Sequence, residues 1–147
     1  MEEQTMDRLK KCLLSLVFLA SCFILTAQAD IASTSPIGYW KSIDKATGAP
    51  KSIIQIWQTP EHVLMGKVIK TYAKDRDAGT VILSGLKQHA DINQWREGKL
   101  LDPDNGRTYS CSLRMAENGK KIKILGYIGI PLLGRSQTWE RVDLLSE

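Results

Sequence analysis

Arg107-Thr108-Tyr109-Ser110-Cys111-Ser112-Leu113-Arg114-Met115 is the stretch that decides the fold. Tyr109, Cys111, Leu113 and Met115 fall on every second position, and Thr108, Ser110, Ser112 and Arg114 fill the gaps. Successive side chains of a strand point to opposite faces, so this alternation describes a strand with one buried and one wet face. Asn105-Gly106 stands before it and Asn118-Gly119 after it. Asn-Gly accepts the positive φ angles of tight hairpins, so the chain is expected to turn at both ends, pairing with strands over 99–102 and 120–128. In the second of these, Ile122, Ile124 and Ile128 share a face with Gly126, while Lys121 and Lys123 point away. A glycine inside a strand signals a bulge or a close backbone approach.

The same pattern runs outward. Strands are expected over 38–43, 51–58 and 63–72, with turns at 44–48 and at Thr59-Pro60-Glu61, and a last strand over 135–142. In 51–58, Ile54 and Ile56 occupy one face and Ile53 and Trp57 the other. Residues 73–79 read as a charged loop. Val81-Ile82-Leu83 is apolar but too short for periodicity to separate a strand from a short helix closing one end of a barrel. The fold class is all-β: a small antiparallel β-barrel of about eight strands, after an N-terminal signal helix.

Residues 12–28 carry no charge, Arg8, Lys10 and Lys11 stand before them, and Ala27-Gln28-Ala29 offers small residues to a signal peptidase. Basic head, apolar middle and small-residue exit make a secretory signal, giving a signal peptide over 1–29, a flexible leader over 30–36 and the domain over 37–147. Leu19-Ala20-Ser21-Cys22 resembles the lipobox of bacterial lipoproteins, whose cysteine is acylated, although Phe23-Ile24-Leu25 prolong the apolar run beyond it. Membrane contact is therefore expected only through the signal peptide or an acylated Cys22. Cys12 and Cys22 leave with a signal cut at Ala29, so Cys111 has no partner for an internal disulfide and the fold must rely on its core. The formal charge of the whole chain is +4, scattered without a basic block, which describes a solvated surface and no nucleic-acid partner.

Gly38-Tyr39-Trp40, Asp102-Pro103, Gly106-Arg107-Thr108-Tyr109, Gly126-Tyr127 and residues 134–141, Gly-Arg-Ser-Gln-Thr-Trp-Glu-Arg, fall in an order that resembles the bacterial exported family catalogued as domain of unknown function 2147 (DUF2147). The resemblance covers about 37–142, names no reaction, and implies a host with two membranes, hence a periplasmic protein. An early Gly-x-Trp and a late Arg are also similar to the lipocalin arrangement, in which the Trp closes the barrel floor and the Arg packs across it. Trp40 would supply the first, and Arg135 or Arg141 the second. The barrel is accordingly expected to be lipocalin-like.

Trp139 shares its face with Arg135, Gln137 and Arg141, and Trp40 shares its face with Gly38 and Ser42. Polar groups that turn inward need partners. Either an Arg stacks on a Trp and closes one end, or Trp40, Arg135, Gln137 and Trp139 line a site for a small apolar or amphipathic ligand. No enzyme is expected: His62 and His89 lie in turns, no Gly-x-Ser-x-Gly elbow or His-Glu-x-x-His motif occurs, and Cys111 sits on an apolar face. No cofactor or metal is expected either, because Asp102-Pro103-Asp104-Asn105-Gly106 lacks the glutamate of a calcium loop and reads as a turn. The expected function is a non-catalytic periplasmic binding module. The alternative is a structural or interaction protein of the envelope with a filled barrel.

Overall fold

The structure, a computed structural model, describes residues 35–72, 77–91 and 93–145. The signal segment with Cys12 and Cys22, the leader as far as 34, and residues 73–76 of the charged loop lie outside the described residues. Eight strands follow in order: β1 Gly38–Ile43, β2 Pro50–Gln58, β3 Val63–Thr71, β4 Val81–Gln88, β5 Gln94–Asp102, β6 Arg107–Ala116, β7 Lys121–Tyr127 and β8 Arg135–Val142. Each pairs antiparallel with the next, and β8 returns to β1, so the sheet closes on itself as an all-β, lipocalin-like barrel. Closure satisfies the edge hydrogen bonds that an open sheet would leave bare.

The alternation in β6 holds. Cys111, Leu113 and Met115 are buried, Tyr109 is half-buried and Arg114 is exposed. Inward positions of the other strands join them in one core that includes Trp40, Ile54, Leu64, Leu86, Ile122 and Trp139. The 3-10 turn Glu117–Gly119 places Asn118 at φ 52° and Gly119 at φ 83°, and Gly106 turns the β5–β6 hairpin at φ 69°.

Three segments differ from the sequence reading or resolve an ambiguity in it. Residues 81–88 form a strand, not a helix, and its alternation is hidden because Ile82 and Leu83 are both buried where the β3–β4 register shifts around Gly66. β5 starts at Gln94 instead of Lys99. A bulge between Trp95 and Gly98, with Glu97 at φ 63°, puts an extra residue between two inward positions and breaks the period of two. β7 ends at Tyr127, so Ile128 does not face the core; it is 68% exposed. Gly129 at φ 76° and the 3-10 turn Pro131–Leu133 take the chain out of the sheet there.

Gly126 is a close approach and not a bulge. The ladders to β6 and β8 run through it without a register shift, and a Cβ there would stand 3.1 Å from Leu100 Cδ2. Gly98 is tighter: a Cβ would stand 2.4 Å from Leu86 Cγ and 3.0 Å from Cys111 Sγ. Leu86 of β4 and Leu100 of β5 thus pack over glycines of β5 and β7 and fill the interior, as close packing requires.

Candidate functional site

The barrel has two unlike ends. The β2–β3, β4–β5 and β6–β7 turns gather at one, together with Ser35–Ile37. The other carries the β1–β2, β3–β4, β5–β6 and β7–β8 connections.

The first end is shut. Trp40 is fully buried and donates its indole N–H to Pro36 O at 2.8 Å. The Arg141 guanidinium lies 4.2 Å from the centroid of the Trp40 ring. Its nitrogens donate to three backbone carbonyls: Nε to Gly119 at 2.7 Å, Nη1 to Ile37 at 3.1 Å and Nη2 to Ser35 at 2.7 Å. Burial draws the Arg141 pKa down from its ordinary 12.5, yet an arginine starts high enough to keep its charge. Of the two arginines that could play this role, Arg141 takes it. Arg135 stands at the far end of the same strand.

Near the middle, Trp139 is buried beside its cross-strand partners Ile122 and Ser42. Ser42 and Ser52 satisfy each other there, Oγ to Oγ at 2.7 Å, inside the wall. Trp139 donates its indole N–H to Gln137 Oε1 at 3.1 Å, which fixes Gln137 on the same inward face. The β7–β8 register is unbroken, so Gln137 opposes buried Ile124 and Arg135 opposes Gly126. Yet Gln137 and Arg135 are both exposed. An inward position in a closed barrel meets solvent only where the barrel opens, so the interior ends in a mouth just beyond Trp139.

Among the described residues the Arg135 side chain makes no hydrogen bond or ion pair. Arg107 alternates inward with Tyr109 and is exposed at the same end. Tyr109 accepts at its hydroxyl from Asn105 Nδ2, 3.3 Å away. Beneath these neutral and cationic groups Trp139, Ile124 and Leu100 are buried.

Of the four residues singled out from the sequence, Trp139, Gln137 and Arg135 form one inward row on β8. Trp40 lies below them, beneath Arg141, and is part of the closure. Arg107 was missed as a rim residue, although its two-residue spacing from Tyr109 carried the signal.

Other chemistry is spoken for. Burial pushes the Cys111 thiol up to about 12, leaving no thiolate at neutral pH. His62 and His89 are exposed in the turns of the shut end. Asp102 spends its carboxylate on its own turn, accepting from Asp104 N at 3.0 Å and Asn105 Nδ2 at 3.0 Å. Asp104 is paired with Lys51.

A closed antiparallel barrel of eight strands, plugged at one end by a Trp–Arg pair, is a lipocalin-like fold. The chain belongs to the family described as "Uncharacterized protein conserved in bacteria (DUF2147)", whose model matches residues 38–141. Among solved structures it is similar to protein HP1028 from the human pathogen Helicobacter pylori, described as belonging to the lipocalin family. That likeness has a TM-score of 0.64 at 16% identity and covers 78% of this chain and 87% of the other. No curated protein matches the chain.

Proposed function

We propose that this protein is a non-catalytic periplasmic binding module that holds a small amphipathic molecule at the barrel mouth. The observation that carries this reading is the inward row Trp139–Gln137–Arg135, buried at one end and exposed at the other. A molecule that laid its apolar part on Trp139 would find an amide and a guanidinium at the depth of its head group. An anionic or hydrogen-bonding head is favoured, because among the described residues the Arg135 charge has no partner to give up. Below Trp139 the interior is occupied by the protein's own side chains, so the ligand is small and sits high. That filled lower half favours the second reading, a structural envelope protein whose mouth is only a surface feature.

Titration with dodecanoate, followed by tryptophan fluorescence, tests the binding reading. Binding is expected, weakened about tenfold by Arg135→Glu, the size of one lost charged hydrogen bond. Dodecylamine should bind the wild type more weakly than the acid. A flat titration, with a bare mass for protein isolated from its own host, supports the structural reading instead. The same mass measurement tests processing: a chain starting at Asp30 is expected for the exported form, and an acylated Cys22 would give a heavier one.

A further inference from the structure

The β7–β8 connection is apolar where solvent should make it polar. Ile128, Ile130, Leu132 and Leu133 are 68%, 55%, 87% and 77% exposed, four large aliphatic side chains within six residues. The loop is built to hold them out. Ile130 N donates to Ile128 O at 3.1 Å, Leu133 N to Ile130 O at 3.3 Å and Gly134 N to Pro131 O at 3.0 Å, closing the 3-10 turn Pro131–Leu133. Exposed apolar clusters of this kind mark interaction sites.

The charge around the loop points to the partner. The cations that flank the loop are Arg135 and Lys45, while Lys120 and Lys121 stand at the shut end, where Lys121 pairs with Glu117 and Glu140. Asp102 and Asp104, at the loop's own end, are engaged by their own turn and by Lys51. Arg135 follows the loop directly, its guanidinium unpaired among the described residues, and Lys45 reaches across from the β1–β2 turn to donate to Ser136 O. Asp44, next to Lys45, turns its carboxylate back onto Ala46 and Thr47 within its own turn. Aliphatic tips flanked by Arg135 and Lys45 match a lipid surface with anionic head groups: the tips enter the acyl boundary while the two cations stay among the phosphates. A protein partner fits less well, since energetic centres of protein interfaces favour aromatic residues and arginine and under-use leucine.

We propose that the β7–β8 loop is a membrane-docking element that inserts Ile130, Leu132 and Leu133 into an anionic lipid surface, with Lys45 and Arg135 at the head groups. Docking so would set the barrel mouth against the membrane. This surface does not depend on the mouth holding a ligand.

Co-sedimentation with phosphatidylcholine–phosphatidylglycerol vesicles, and with phosphatidylcholine vesicles alone, tests it on the protein as the cell makes it. Wild type should bind the mixed vesicles and bind the neutral ones less. Leu132→Ser/Leu133→Ser should lose about tenfold in partitioning. Arg135→Glu should weaken binding to the mixed vesicles only. Both leucines are exposed, so the double variant should keep the thermal midpoint of the wild type, which is measured alongside. Equal binding by wild type and double variant would place the contact elsewhere and overturn the proposal. Absence of binding to either vesicle would overturn it too, as would a self-associated wild type that becomes monomeric in the double variant without vesicle binding. Loop-dependent binding indifferent to phosphatidylglycerol would overturn the anionic assignment.

Discussion

Arg141 lies over Trp40, its guanidinium carbon 4.2 Å from the ring centroid, and spends its nitrogens on the carbonyls of Gly119, Ile37 and Ser35. One side chain therefore ties β8 to the β6–β7 turn and to the segment entering β1, while covering the indole that floors the barrel. A lysine could keep the charge but not the planar fork.

Replacing Arg141 should expose that dependence. Arg141→Ala is expected to cost about 2–4 kcal/mol, from lost charged hydrogen bonds and the stacking contact. Arg141→Lys should recover less than half of this, read from the midpoint of urea unfolding. Full recovery by lysine would reduce the plug to a point charge.

Leu86 packs over Gly98, and an added Cβ would stand 2.4 Å from Leu86 Cγ. Gly98→Ala should destabilise by about 1–3 kcal/mol through overpacking. Leu86→Ala alone should cost about 2–5 kcal/mol by leaving a cavity. The double variant should fall well short of the sum, because the new methyl occupies space the leucine vacates. Additive costs in a double-mutant cycle would place the strain elsewhere.

Cys111 gives a pH dependence with a definite sign. Its thiol is pushed by burial from an ordinary 9.0 to about 12. Below pH 9 both folded and unfolded thiols are protonated and the contribution is fully present. Between 9 and about 12 the unfolded chain ionises first, so stability falls as pH rises. Cys111→Ala should flatten that part of the profile. In the folded wild type at pH 8, a thiol reagent should reach Cys111 only at the rate of opening.

Asp44 moves the other way. Thr47, through its amide and hydroxyl, and then the Ala46 amide hold its carboxyl below the ordinary 3.8. The turn it organises should persist above 3.8 and loosen as pH drops through the lowered value. Amide exchange at Ala46 and Thr47 should accelerate there, and Asp44→Ala should give the fast rate at every pH. Unchanged exchange in that variant would mean that the turn is held by its backbone alone.

Much of this architecture could be read from the chain because burial in a barrel wall has a period of two. Tyr109 to Met115 showed it without interruption, and Gly38–Ile43 and Arg135–Val142 were bounded correctly. The reading failed where the wall adds a residue. Between Trp95 and Gly98 the extra position at Glu97 makes two inward residues three apart, so the first half of β5 went unassigned. Ile128 continued the alternation on paper, but Gly129 and Pro131 had already taken the chain away. At the site, alternation could say that Arg135, Gln137 and Trp139 share a face. It could not say how deep each lies, because depth depends on the tilt and stagger of neighbouring strands, which no single strand encodes. The choice between Arg135 and Arg141 was open for the same reason.

The seam between β1 and β8 joins the earliest strand to the latest. A ribosome still holding the final residues therefore holds back the step that completes the barrel, since the opening strand has no neighbour on one side until Arg135–Val142 arrives. Any shortening that removes the last strand should therefore leave two sticky borders instead of a smaller working barrel.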